Sequence, residues 1–273
     1  MQRLGRWFLW VWVLFLYPVL AQSAPSPGAL DQIKTRKEVL VGLDTGFIPF
    51  AMKKADGNWV GYDIDLSEGF AKFLGVKLTL VEMKWEGMFA ALQAKRFDII
   101  IHGITITEDR KKTLRFSDPY YEAGQYALIA KSQVGTIKRA VDLNDAKYTV
   151  AVQLGTTGDI WATKNLPKAN LLRFDSEHDA ANAVMLGKVA GFIYDKPYLL
   201  FFSKRHAGKI VMLPEALNSE YLGAVARKND AALIDAFNTF LAGWKKSGEY
   251  DKAIQKNFVD MPWLKFFPEL NKS

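Results

Sequence analysis

Residues 103–121, Gly-Ile-Thr-Ile-Thr-Glu-Asp-Arg-Lys-Lys-Thr-Leu-Arg-Phe-Ser-Asp-Pro-Tyr-Tyr, set hydroxyls and an arginine where a strand gives way to a short charged helix. The bulky apolar run 97–101 precedes them and ends in His102-Gly103, which predicts a buried parallel strand meeting a backbone position that tolerates close approach. Arg110 offers a planar, permanently charged fork to a carboxylate, and Thr105 and Thr107 add hydroxyls. An exposed helical arginine beside an N-capping Thr107 accounts for the same residues, so residue types alone leave both readings open.

Toward the N-terminus, 39–43 predicts a strand, and 48–54 with 59–62 flank an Asp56-Gly57 turn, which is a hairpin signal. Asp63 is expected to cap a helix whose apolar residues Leu66, Phe70, Phe73 and Leu74 share a face and whose end is marked by Gly75. A strand over 77–83 and a helix over 86–95 lead to the run at 97–101. Toward the C-terminus, the Ser117-Asp118-Pro119 turn opens a second series with strands over 125–130, 148–152, 170–174 and 189–194. Helices over 159–165, 177–186 and 196–205 alternate with them, and a strand over 222–226 precedes helices over 231–246 and 250–258. Alternating strands and helices predict an α/β protein with parallel-rich sheets, built as two units in sequence.

A chain of 273 residues, 49% hydrophobic and 24% charged, buries a large core. Arg3 and Arg6 precede the apolar run 7–17, followed by Pro18 and small residues at Ala21 and Ala24, so residues 1–24 read as a cleaved signal peptide. Cysteine is absent, which excludes disulfides, thiolate chemistry and a lipidated N-terminal cysteine, and points to the periplasm of a Gram-negative cell. The net charge of +7 includes Arg3 and Arg6 and is spread along the chain, so nucleic acid is not an expected partner.

The turn from Gln153 to Gly158 joins a strand to a helix N-terminus, where free N–H groups favour an anion, although threonine capping explains it equally well. It lacks a P-loop lysine, so nucleotide is disfavoured. Asp195 ends an apolar strand and is suited to an ammonium group or to N-capping the helix that starts at Lys196-Pro197. Asp44, Phe47 and Trp85 also fall at strand ends, where α/β sheets bind small ligands. No cofactor and no metal are expected, since metal-ligand spacing is missing.

The chain resembles the bacterial extracellular solute-binding proteins of family 3, the periplasmic receptors of polar amino-acid ABC importers. The resemblance is carried by Val41-Gly42-Leu43-Asp44-Thr45 with Phe47 and Pro49-Phe50, by Gly61-Tyr62-Asp63-Ile64-Asp65-Leu66, and by Phe97-Asp98. It continues through Gly103-Ile104-Thr105-Ile106-Thr107, Arg110, Phe116-Ser117-Asp118-Pro119-Tyr120, Val152-Gln153, Gly155-Thr156-Thr157-Gly158 and Asp195. It implies a two-lobe periplasmic-binding-protein fold, the Venus flytrap. Lobe 1 would take 29–119 plus 224–273 and lobe 2 would take 125–218, with crossover hinges at 120–124 and 219–223. It further implies that Arg110, Gly103 and Thr105 clamp an α-carboxylate and that Asp195 meets the α-ammonium. Thr156 and Thr157 would add carboxylate contacts from the other lobe, Phe47 and Trp85 would wall the side chain, and Asp44 and Gln153 would read its polar end. The implied function is delivery of a polar L-amino acid, glutamine first and arginine or lysine second, to an inner-membrane ABC permease by a monomeric receptor that is not an enzyme.

Two alternatives compete. A small-acid dehydratase or lyase on the same scaffold needs a cleft and a carboxylic acid of raised pKa, and Glu82 and Glu86 flank Trp85; against it, His102, His178 and His206 are isolated in sequence. A membrane-tethered amino-acid sensor needs an uncleaved N-terminal segment and a signalling module, and neither is expected. Export with cleavage after Ala21 or Ala24 is the expected outcome, checked by N-terminal mass analysis of periplasmic protein. A full-length, membrane-retained product would favour the tethered sensor.

Overall fold

The computed structural model describes residues 28–271, so the expected signal peptide at 1–24 lies outside the described residues. The chain opens with α1 (Ala29–Arg36), β1 (Glu38–Leu43), the strands β2 (Met52–Lys53) and β3 (Trp59–Val60), α2 (Tyr62–Leu74), β4 (Lys77–Glu82) and α3 (Met88–Gln93). β5 (Ile99–Ile100), α4 (Glu108–Thr113), β6 (Leu114–Phe116) and β7 (Tyr121–Ala123) follow. A second series runs β8 (Gln125–Ala130), β9 (Thr149–Gln153), α5 (Thr157–Asn165), β10 (Asn170–Phe174), α6 (Glu177–Met185), β11 (Gly191–Asp195), α7 (Lys196–Arg205) and β12 (Ile210–Met212). The chain then returns through β13 (Glu220–Leu222), β14 (Val225–Arg227), α8 (Ala231–Lys246) and α9 (Glu249–Ile254).

Two lobes result, each built on a five-stranded sheet, one ordered β4-β1-β5-β14-β6 and the other β10-β9-β11-β8-β12. β4, β1 and β5 are parallel, with Val41 in register with Leu80 and Ile99, and β14 enters antiparallel between β5 and β6. In the other sheet β10, β9 and β11 are parallel, and β8 runs antiparallel to both β11 and β12. The antiparallel pair β7 and β13 carries the chain between the lobes in both directions.

Local chemistry explains where the elements begin and end. Gly42 lets the Phe97 ring lie directly on β1, because a Cβ there would sit 2.5 Å from the ring. The expected strand over 97–101 pairs only at Ile99 and Ile100, since the Asp98 carboxylate takes the Leu40 N–H at 2.8 Å and pairs with Arg36. The expected strand over 222–226 is two strands in different sheets. Gly223 N–H turns to the Ile104 carbonyl at 3.0 Å and Ala224 N–H to the Ser117 hydroxyl at 2.9 Å, which moves the chain from β7 to β6.

The N-cap of α2 is Gly61 rather than the expected Asp63, which falls inside the first turn and is fully buried. Tyr62 N–H donates to the Pro49 carbonyl and Asp63 N–H to the Phe50 carbonyl, so the two backbones cross in contact. Gly61 meets that demand with φ 131°, and α2 stops at Gly75 with φ 66°. Above the crossing, Phe50, Tyr62, Tyr121 and Phe258 form an aromatic cluster with ring centroids 5.0–6.0 Å apart, uniting the loop after β1, α2, β7 and the C-terminal segment. The fully buried Phe50 and Tyr62 rings each contribute on the order of 1.5–3 kcal/mol by burial.

Gly61→Ala is expected to destabilise the fold by more than about 2 kcal/mol, because its Cβ would meet the Phe50 carbonyl oxygen at 2.2 Å in addition to the strained φ. Gly57→Ala, where nothing lies within 4 Å, should cost only about 1 kcal/mol. Urea unfolding midpoints of the two variants compare the costs, and equal shifts would refute the backbone-crossing explanation.

Candidate functional site

A cleft lies between the lobes. Asp44, Phe47, Trp85, Gly103, Thr105 and Arg110 line it from the first lobe, and Gln153, Thr156, Thr157 and Asp195 from the second. All ten candidate residues are therefore brought together, at the carboxyl ends of parallel strands and the turns that follow them, which is where open α/β sheets hold ligands.

Each lobe supplies one kind of order. Asp44 accepts the Thr45 N–H at 2.8 Å and the Trp85 N–H at 2.9 Å, and burial raises its pKa against those two bonds. Trp85 reaches across the cleft, its indole N–H donating to the Leu154 carbonyl at 3.0 Å. Phe47 stacks on Phe50 at 4.5 Å and leans over Gly103, where a Cβ would come within 2.2 Å of its ring. The Thr107 cap of the plainer reading is present, but Arg110 is half-buried rather than exposed. Thr107 caps α4 by accepting the Arg110 N–H at 3.2 Å, while the Arg110 guanidinium packs against the Trp85 and Phe89 rings at 5.6 and 5.4 Å. That guanidinium donates to the Thr105 carbonyl at 3.0 Å and, across the cleft, to the Gly155 carbonyl at 3.4 Å.

The second lobe commits several of its side chains to itself. Thr156 is a cap, accepting the Asp159 N–H at 3.3 Å and donating its own proton to the Gln153 carbonyl at 2.8 Å. The Gln153 amide donates to the Asp175 carbonyl at 3.0 Å. Asp195 occupies the N-cap position of α7 but makes no capping bond; its carboxylate accepts from the Gln125 amide instead. Burial, helped by the Glu220 charge, pushes Asp195 up to about 7, with Gln125 and Arg110 opposing.

Four further residues line the cleft: Thr45, His102, Glu177 and Tyr194. Glu177 begins α6, which Ser176 caps. The fold buries the Glu177 carboxylate against the Gly46 loop, where a Cβ on Gly46 would lie 3.0 Å from its Oε1. Burial pushes it up to about 7, and the Asp44 charge acts in the same direction. His102, isolated in sequence, is buried with an unpartnered Nδ1 and is driven down to about 3 by burial alone, so it is neutral. Nothing in local sequence pattern marks Glu177 or Tyr194, because α6 and β11 bring them to the cleft from far along the chain.

The lining thus holds three acids, Asp44, Glu177 and Asp195, against a single fixed cation, Arg110. Among the described residues no group of three or more His, Cys, Asp or Glu is placed to hold a metal ion. The arrangement suits a small molecule with one anionic group and cationic or donor groups at both ends of an aromatic-walled slot.

Residues 39–260 match the bacterial extracellular solute-binding proteins, family 3. The L-cystine-binding protein TcyJ of Escherichia coli (strain K12) is 32% identical over 237 residues, covering 87% of this chain and 88% of the relative. Among solved structures, the ancestral amino acid-binding protein AncCDT-1, a precursor of cyclohexadienyl dehydratase, superposes with a TM-score of 0.80 at 39% identity, covering 85% of this chain and 100% of that one. An ancestral arginine-binding protein bound to arginine does so with a TM-score of 0.77 at 35% identity, covering 82% and 99%.

The buried acids have a consequence for stability. The folded state keeps a proton on Glu177 up to about pH 7, whereas the unfolded chain releases it near the ordinary value of 4.5, so stability from this group is full at low pH and lost as pH rises through 7. Asp195 and the buried Asp63, also raised to about 7, act alike, and the depressed His102 acts oppositely as pH falls below about 6.5. Glu177→Gln should therefore stabilise the protein by about 2–3 kcal/mol at pH 8 and by much less at pH 5. Urea unfolding at the two pH values measures this, and a pH-independent difference would contradict it.

Proposed function

Because the chain belongs to the bacterial extracellular solute-binding proteins of family 3, we propose that it is a periplasmic receptor that delivers a basic L-α-amino acid to an ABC importer of the inner membrane. In this reading Arg110 and the backbone around Gly103 and Thr105 hold the α-carboxylate, and Asp195 takes the α-ammonium. Phe47, Trp85 and Tyr194 enclose the side chain, and Asp44 with Glu177 receives its far end. The observation that carries the choice of ligand is Glu177, a second buried carboxyl group in the lining beside Asp44. Two acids at that end favour a guanidinium or ammonium over a neutral amide. Sequence alone put glutamine ahead of arginine and lysine, and the proposal reverses that order.

Transport requires a signal that the ligand has been captured. The lobes 29–119 plus 224–273 and 125–218 are proposed to close about the crossovers 120–124 and 219–223, with Arg110 on one side of the cleft and Asp195 on the other. A ligand touching both favours closure by the difference in its contacts with the two states. The lyase alternative rests on Glu82 and Glu86, but neither carboxylate lines the cleft, and Glu82 pairs with Lys53 at 2.6 Å.

Calorimetry of ligand-stripped mature protein is expected to rank arginine and lysine above glutamine, with glutamate and leucine weak. A cation beside Asp44 and Glu177 favours their ionised forms, so arginine binding should release protons near pH 7 and weaken as pH falls from 8 to 5. Arg110→Ala should cost every amino acid at least ~2 kcal/mol, whereas the double variant Asp44→Asn, Glu177→Gln should cost arginine about that much and glutamine far less. Glutamine as the tightest ligand, without proton release, would overturn the ligand assignment, and turnover of a bound acid would overturn the receptor reading.

A further inference from the structure

Glu220 stands on the return crossover β13, outside every motif read from the sequence, yet its carboxylate bonds to Thr105 and Thr157, two residues of the cleft lining. One oxygen, Oε2, accepts from the Thr157 hydroxyl of the second lobe at 2.7 Å and from the Thr105 hydroxyl of the first at 3.2 Å. The same oxygen takes the Gln125 amide at 3.2 Å, and Oε1 takes the Asn218 amide at 2.7 Å. A carboxylate cannot donate, so the direction of these bonds is settled: both hydroxyls point their single protons toward Glu220. The Thr105 and Thr157 oxygens also lie 3.4 Å apart, a longer contact than the 3.2 Å from Thr105 to Glu220. Thr157 additionally receives the Gln125 amide at 3.1 Å. What remains for a ligand at the two threonines is lone pairs.

We propose that Glu220 is a positioning residue of the amino-acid site: by accepting the hydroxyl protons of Thr105 and Thr157, it turns both threonines into acceptors that coordinate the ligand's ammonium rather than donors to its carboxylate. The assignment rests on the functional reading above, and it revises the carboxylate role that the sequence suggested for both side chains. It also explains how one residue couples the lobes, since the hydroxyls it joins come from opposite sides of the cleft. The charged groups facing this carboxylate are Arg110 of α4 and Asp195 at the end of β11.

The test separates the two ends of the ligand. L-arginine, agmatine (which lacks the carboxylate) and δ-guanidinovalerate (which lacks the ammonium) are titrated calorimetrically into wild type, Glu220→Gln, Thr157→Val and the double variant, with thermal unfolding as the check on folding. Glu220→Gln and Thr157→Val should each weaken L-arginine and agmatine about tenfold and leave δ-guanidinovalerate within about twofold. The double variant should lose little more than the larger single loss, because Thr157→Val removes one of the two hydroxyls through which Glu220 acts; fully additive losses would mean that Glu220 acts by charge alone and would overturn the proposal. Losses confined to L-arginine and δ-guanidinovalerate, or equal for all three, would overturn it as well. Should Glu220→Gln not fold, the split shown by Thr157→Val decides by the same criteria. A wild type that binds no amino acid overturns the functional reading and this inference with it, a result visible before any variant is compared.

Discussion

The buried Tyr120 side chain is the tie on which the arrangement depends. Its hydroxyl accepts the Gly103 N–H at 2.8 Å, its carbonyl accepts the Tyr62 hydroxyl at 3.1 Å, and its own N–H donates to the Leu222 carbonyl at 2.9 Å. One residue thereby links the floor of the cleft, the start of α2 and the returning crossover. Each bond contributes only about 1 kcal/mol, but leaving any of these buried groups unpaired would cost more than that. Burial of the Tyr120 phenol, reinforced by the Asp63 charge, pushes it further from ionisation. The left-handed backbone of Gly103, with φ 55°, follows from this demand together with the Phe47 ring lying over it.

Around that rigid floor the protein concentrates groups that the fold alone would not choose. Asp63, Glu177 and Asp195 are all carboxyls pushed up to about 7 by burial, and His102 is an imidazole with an unpartnered nitrogen. Two of the acids and the imidazole line the cleft. Buried ionisable groups of this kind oppose stability unless a partner arrives, and a cleft that stores the opposition can return it as affinity when a cation enters. The large aromatic cores of the two lobes make such a concentration tolerable.

Contacts across the cleft are few and individually weak. Trp85 donates to Leu154, Arg110 to Gly155, and the Thr105 and Thr157 oxygens meet at 3.4 Å. Interactions worth on the order of 1 kcal/mol each would leave only a small difference between closed and open lobes, and under the proposed function a ligand bonded to both sides would have to exceed it.

The sequence by itself determined most of the alternating strands and helices, the stop of α2 at Gly75 and the cap at Thr107, because these follow from short-range periodicity and turn chemistry, while the family resemblance gathered the ten positions that line the cleft. Tertiary structure decided which atoms of those residues are available. Thr156 and Gln153 spend donors within their own lobe, Thr157 turns its proton to Glu220, and Asp195 turns from its helix to Gln125. Glu177, Gln125 and Glu220 carry no local signal, since a carboxyl or amide on a helix, strand or crossover reads as ordinary until burial and distant partners are known. The split of 222–226 into strands of two sheets was hidden for the same reason: one apolar run serves either sheet, and only Ile104 and Ser117, more than a hundred residues away, choose between them. Backbone preference is local, whereas desolvation and the direction of a hydrogen bond are set by whatever the folded chain brings within 3 Å or so.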